Sequence, residues 1–197
     1  MKLDLYQRFK AEYVAQKAPT LVRVGQARYL TVSGRGDPNG PGFGAAVGAL
    51  YGIAFTIKMA KQAAKKDYVV AKLEGLWWGG RRGKLLIDSP RSTWRWKLLI
   101  RVPTFVGAAD LVRARRELVR RGKSGGTVRL EALREGRVIQ LLHVGPYTSE
   151  QESLGRMAEF ARAHHLRLSG RHHEIYLSDP RRVAPAKLRT ILRRPVR

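Results

Sequence analysis

The chain contains no cysteine among its 197 residues. That absence excludes disulfides, thiolate zinc sites and cysteine nucleophiles, and it suits a reducing, cytoplasmic setting. The amino terminus, MKLDLYQRFK, lacks the apolar core of a secretion signal. The longest mostly apolar run, Phe43 to Ile57, is shorter than the roughly 20 residues of a membrane span; it reads as a buried helix, and no membrane association is expected. No low-complexity tract breaks a globular composition of 44% hydrophobic and 27% charged residues. The segment GRGDPNGPG, Gly34 to Gly42, lacks both the Walker lysine and the GxGxxG spacing of a dinucleotide loop, and reads as a structural loop. Acidic residues are scarce, 15 against 39 Lys and Arg, for a net charge of +24. Such a charge attracts polyanions non-specifically. The basic residues are spread along the chain instead of forming a tail or a recognition helix, so no specific nucleic-acid partner is expected.

The patterning divides the chain into a lead-in over residues 1–20 and one domain over residues 21–197. Ala27 to Ser33 reads as a strand, and a long helix follows the glycine-rich loop to about Ala64. In that helix Gly44, Gly48 and Gly52 recur every four residues, and Tyr51, Phe55 and Met59 form a stripe on the adjoining face. The stripe is either core or pocket lining. Asp67 to Trp77 is β-prone, GGRRGK (79–84) opens a turn, and Thr93 to Val102 returns with Trp94, Trp96, Leu98 and Ile100 on one face. Residues 107–122 form a basic amphipathic helix with Leu111, Ala114 and Leu118 inward. Strands are expected at 136–144, 173–178 and 188–192, with a helix after Gly145–Pro146–Tyr147 whose Ser149 and Glu152 fit a capping box.

The most informative stretch is RHHEIYLSD, Arg171 to Asp179. In a strand, Glu174 and Tyr176 share one side while Ile175 and Leu177 take the other. A carboxylate beside a tyrosine there binds a cation or acts as a general base, unless it is a surface glutamate on an edge strand. The halves also align as a weak repeat, about 21–105 and 125–197, joined by the basic helix. In that alignment Leu73–Glu74–Gly75–Leu76–Trp77 answers His173–Glu174–Ile175–Tyr176, so two such units would turn two acids and several aromatics toward a shared groove. His143 faces that groove or packs as a hydrogen-bonded core histidine. Tyr147 likewise lines the site or closes the Gly-Pro turn. The adjacent pairs His164–His165 and His172–His173 diverge in regular structure, so no metal is expected.

The motifs SGRGDPN (33–39), GALYGIAFTIKM (48–59), LEGLWW (73–78), LLHVGPY (141–147) and HHEIYLSDPRRVAPAKLRTILRRPV (172–196) resemble those of GyrI-like small-molecule-binding domains. Those domains also occur as effector domains of bacterial multidrug-responsive regulators. Tyr51 with Lys58–Met59 and LEGLWW is similar to a stand-alone branch, the cyclopropanoid cyclopropyl hydrolases. No helix-turn-helix fits within residues 1–20, so a transcription regulator is not expected. The resemblance implies an α+β, SOUL-like fold of two strand–helix–strand–strand units, whose antiparallel sheet lines a groove beneath two long helices. It implies planar, often cationic aromatic ligands, no cofactor, and a buried glutamate at the position of Glu174. For a ring-opening hydrolase of this kind, Glu174 or Glu74 is the candidate base, with Tyr147 and Tyr176 as candidate donors to a developing oxyanion. Trp77, Trp78, Tyr51, Phe55, Met59 and His143 complete the expected ligand-binding set. A non-catalytic drug-binding module, or a basic-surface protein acting on a DNA-associated enzyme, are the other readings.

Overall fold

A computed structural model describes residues 2–79 and 89–197. Most of the GGRRGK turn therefore lies outside the described residues. Six strands form a closed barrel in the order β1-β3-β2-β5-β6-β4: β1 Thr20–Arg35, β2 Leu73–Gly79, β3 Trp94–Val102, β4 Arg129–Val144, β5 His172–Tyr176 and β6 Arg189–Pro195. Every pairing is antiparallel. β1 and β4, 16 residues each, are far longer than the sequence pattern suggests, because their outer ends pair with each other from Thr20↔Gln140 to Thr31↔Arg129 and close the barrel. The lead-in holds two short helices, α1 (Leu5–Arg8) and α2 (Lys10–Tyr13).

Three longer helices are present among the described residues: α3 (Pro41–Ala63), α4 (Ala108–Arg120) and α5 (Glu150–Ala163). At 23 residues and mean hydropathy 1.5, α3 is long and apolar enough to cross a membrane, which the shorter run Phe43–Ile57 did not indicate. Here its Leu50, Ile53, Ala54 and Ile57 are buried against Leu30, Val32, Leu98 and Ile100 of the barrel wall. Leu111, Ala114 and Leu118 bring α4 onto the same core, and Asp110 accepts a hydrogen bond from the Gly107 N–H at 2.9 Å to hold the start of that helix. Against β4 and β6, α5 packs Met157 and Ala161 on Ile139, Leu141 and Leu192. The expected capping box at its start does not form: Ser149 instead donates to the Pro146 carbonyl at 2.9 Å.

Strand alternation gives the barrel two unlike faces. Leu30, Leu98, Ile100 and Leu192 face outward, under the helices. The inner face carries Tyr29, Leu76, Leu99, Ile175 and Ile191 together with charged groups, and Tyr13 of α2 packs on it.

Candidate functional site

The register between β2 and β5 decides which residues meet. Gly75 pairs with Glu174 and Trp77 with His172, whereas Glu74 pairs with Ile175 and Leu76 with His173. Directly opposed residues share a face, so Trp77, His172, Glu174 and Tyr176 point outward while Glu74 and His173 point into the barrel. Glu74 therefore does not share a groove with Glu174. It is 0% exposed, accepts from the Tyr13 hydroxyl at 3.1 Å and lies 3.0 Å from His173 Nε2. A one-residue offset in the matched motifs is enough to reverse the face.

On the outer face the Tyr176 hydroxyl donates to Glu174 Oε2 at 2.8 Å and accepts from Trp77 Nε1 at 3.0 Å. The one proton of Tyr176 is thus committed to Glu174, so this tyrosine orients the carboxylate and is not a free donor to an oxyanion. Burial, then the charge of Glu174, hold the Tyr176 phenol well above its ordinary value. Trp77 stacks on Phe43 of α3 at 5.8 Å and meets Trp94 edge-on at 5.9 Å. Tyr147, 36% exposed, stands edge-on to Tyr176 at 5.8 Å, and burial beside Glu174 and Glu150 pushes its phenol up to about 12.

A residue that the sequence pattern did not single out completes the cluster. Glu150, the first residue of α5, is 5% exposed, and its Oε1 has no hydrogen-bond partner among the described residues. Burial, then the charge of Glu174, raise its carboxyl well above the ordinary range, outweighing the favourable helix end on which it sits. His172 Nε2 lies 3.2 Å from Glu174 Oε1. The only sequence cue to Glu150 is an acid in the first turn of a helix, which ordinarily signals a favourable dipole contact and nothing more.

The other expected site residues separate from this cluster. Trp78 lies on the opposite side of β2, packed with the inner-face cluster of Tyr29, Leu76 and Leu99 beneath the Arg171 guanidinium, which sits 3.7 Å from its ring. Phe55 and Met59 are 52% and 60% exposed on the solvent side of α3; only Tyr51 of that stripe is packed against the core, with Phe55 stacked on it at 6.0 Å. His143 is buried, donates from Nε2 to the Pro146 carbonyl at 3.2 Å and meets Ser153 Oγ at 3.0 Å, so it braces the turn into α5. Cavities of about 100 Å³ and about 200 Å³ lie at the Lys97–Glu131 mouth of the barrel and beside His143 and Arg156; Glu174 lines neither.

Gly75 makes this arrangement possible. A Cβ at that position would lie 2.8 Å from Trp77 Nε1 and 2.9 Å from the Tyr176 hydroxyl, inside the hydrogen bond that joins them. Gly75→Ala is expected to force the two side chains apart at a cost of about 1–3 kcal/mol. The expected readouts are a lower melting temperature and a changed Trp77 contribution to intrinsic fluorescence.

Residues 100–197 match the GyrI-like small molecule binding domain family. A solved structure of an uncharacterized conserved protein from Listeria innocua is 38% identical, with a TM-score of 0.92 over 100% of both chains. The chain belongs to the GyrI-like family. A second Listeria innocua structure, of a protein described as a hydrolase, is 35% identical with a TM-score of 0.91, again over 100% of both chains. The EcmrR C-terminal domain shares the fold of this GyrI-like protein at 11% identity, with a TM-score of 0.58 over 91% of this chain and 96% of that one. No curated protein matches the sequence.

Proposed function

We propose that this GyrI-like protein binds planar aromatic small molecules against Trp77, between α3 and α5, and hydrolyses the cyclopropane ring of cyclopropanoid genotoxins. The observation that carries the reading is the pair of carboxyl groups, Glu174 and the buried Glu150, set against Trp77, Tyr147 and Tyr176. The full-length likeness to a Listeria innocua protein described as a hydrolase supports it.

Ring opening adds one water. The water oxygen forms a bond to a cyclopropane carbon, the strained C–C bond breaks, and its electron pair moves through the conjugated system onto the carbonyl oxygen. Glu174, oriented by Tyr176, accepts the water proton. Glu150, whose carboxyl burial and the charge of Glu174 push upward, supplies a proton to the developing phenolate, and proton return from Glu174 to Glu150 resets the pair. Tyr147 is placed at the exposed rim to donate to the same oxygen. Tyr51 and Tyr147 give the flat ligand apolar surface to stack on, over Trp77, which is buried beside Phe43 and Trp94. Each base or donor contributes a factor of roughly 10² to 10⁴, sufficient for a ring already activated by strain.

The recurring order β1-α3-β2-β3 and β4-α5-β5-β6 supports reading the domain as two duplicated units. On this reading only the second unit supplies a catalytic acid to the outer face. A cytoplasmic detoxifying role, lowering drug load before it reaches DNA, fits the absence of cysteine.

The test is incubation of the purified protein with a cyclopropane-bearing DNA alkylator, with products followed by mass spectrometry. A product heavier by one water, formed in proportion to protein and in the presence of EDTA, is expected. Tight binding with the ligand recovered intact would replace hydrolysis by sequestration, and absence of binding would remove the groove from the account.

A further inference from the structure

The spacing of histidines along the chain points to no metal site, yet folding brings three ligand-type side chains together from separate elements. Glu150 from the start of α5 and His172 and Glu174 from β5 bring three ligating atoms within 4.8 Å of one another. Both Glu150 and His172 are more than nine-tenths buried. Glu150 Oε1 and His172 Nδ1 have no hydrogen-bond partner among the described residues, and Nε2 of His172 has only its 3.2 Å approach to Glu174. Buried polar atoms without partners are costly, and a cation held by all three groups would offset that cost at Glu150 and at one nitrogen of His172.

We propose that Glu150, His172 and Glu174 form a binding site for one divalent transition-metal ion of the zinc class. Metal–nitrogen and metal–oxygen bonds of about 2.0–2.2 Å place tetrahedral ligand atoms about 3.4 Å apart. The 3.2 Å separation of His172 Nε2 from Glu174 Oε1 already matches one such edge, and the Glu150 ligand atom lies within 4.8 Å of the other two. One imidazole with two carboxylates selects Zn²⁺, Co²⁺ or Mn²⁺ over the soft ions that prefer sulfur. Tyr176, donating to Glu174 Oε2 and held by Trp77, supplies the outer hydrogen bond that fixes a ligating carboxylate. Three protein ligands leave a fourth position open to water. Because the ion takes the lone pairs of both carboxylates, it competes with ring opening: the loaded protein is the inactive form, and the site is a point of inhibition. That last step rests on the hydrolase reading, whereas binding itself does not.

The test is titration of EDTA-treated protein with Co²⁺, read by its visible absorption bands, and with Zn²⁺ by calorimetry, in the absence of any organic ligand. One ion per chain is expected, with affinity reduced about 100-fold or more in His172→Ala and unchanged in Glu159→Gln, an exposed acid on the same helix. If His172→Ala fails to fold by circular dichroism, His172→Gln replaces it. Absence of saturable binding to the unaltered protein, or equal binding by the His172 variant, overturns the site. Turnover assayed separately in EDTA tells failure of the metal site from failure of the hydrolase reading: hydrolysis that persists there without any metal binding removes only the former.

Discussion

Glu174→Gln is expected to bind a cyclopropane-bearing alkylator and leave it intact, with turnover lower by about 10² to 10⁴. The substitution preserves the volume of the side chain and an oxygen for the Tyr176 hydroxyl, 2.8 Å away, so the Trp77–Tyr176–residue 174 chain persists. What it removes is the proton acceptor. Glu74→Gln separates the two glutamates cleanly. It faces the barrel interior, 0% exposed, between Tyr13 and His173, so its substitution lowers the melting temperature and leaves the turnover of the folded protein close to normal. Single-turnover kinetics with both variants, alongside equilibrium binding by tryptophan quenching, makes the comparison. Loss of turnover in Glu74→Gln with full activity in Glu174→Gln would place the base inside the barrel and refute the assignment.

Much of the outer wall was legible from the period-2 pattern of β3: Trp96, Leu98 and Ile100 lie under α3, with Lys97, Leu99 and Arg101 on the other side. The same logic located Glu174 and Tyr176 on one face. It failed at Glu74 because a repeat judged by residue similarity carries no register, and a slip of one residue turns a groove acid into an interior one. Trp78 followed Glu74 across the sheet for the same reason. Phe55 and Met59 sit on a helical stripe with Tyr51, but α3 presents Leu50, Ile53 and Ile57 to the barrel and leaves Phe55 and Met59 in solvent. Glu150 was hidden because its meaning depends on where α5 starts relative to β5, a tertiary fact with no local signature. The polar interior of the barrel was hidden likewise: Arg193, in ILRRPV, reads as one basic residue among many.

That interior supplies the second large effect. Arg193 is 0% exposed; it donates to Glu135 Oε2 at 3.0 Å and, from Nε and a terminal nitrogen, to Gln140 Oε1 at 3.2 Å, while a further bond reaches the Glu12 carbonyl of α2. Glu135 also meets His173 Nδ1 at 3.0 Å, and His173 in turn faces Glu74. Opposed by burial, the carboxylates of Glu135 and Glu74 still raise the imidazole to about 9, and Glu135 itself is drawn down to about 2 by His173 and Arg193. Arg101 adds bonds to Glu12 at 2.6 Å and to the Tyr13 hydroxyl at 3.0 Å. Three acids, Glu12, Glu74 and Glu135, thus face three bases, Arg101, His173 and Arg193, and the network ties β2, β3, β4, β5 and β6 to the N-terminal helices. Arg193→Met fills the space but takes from Glu135 one of its two cationic partners, leaving His173 alone, and removes both donors to the Gln140 oxygen, away from water. Breaking one side of a buried ion pair costs about 3–5 kcal/mol, which for a chain of this size lowers the melting temperature by roughly 6–20 °C. Because the cost comes from a carboxylate left with half of its compensation and not from lost packing, adding Glu135→Gln to Arg193→Met should recover part of it. A double variant no more stable than the single one would mean that the guanidinium acts chiefly through its bonds to Gln140 and the Glu12 carbonyl, holding the N-terminal helices against the barrel.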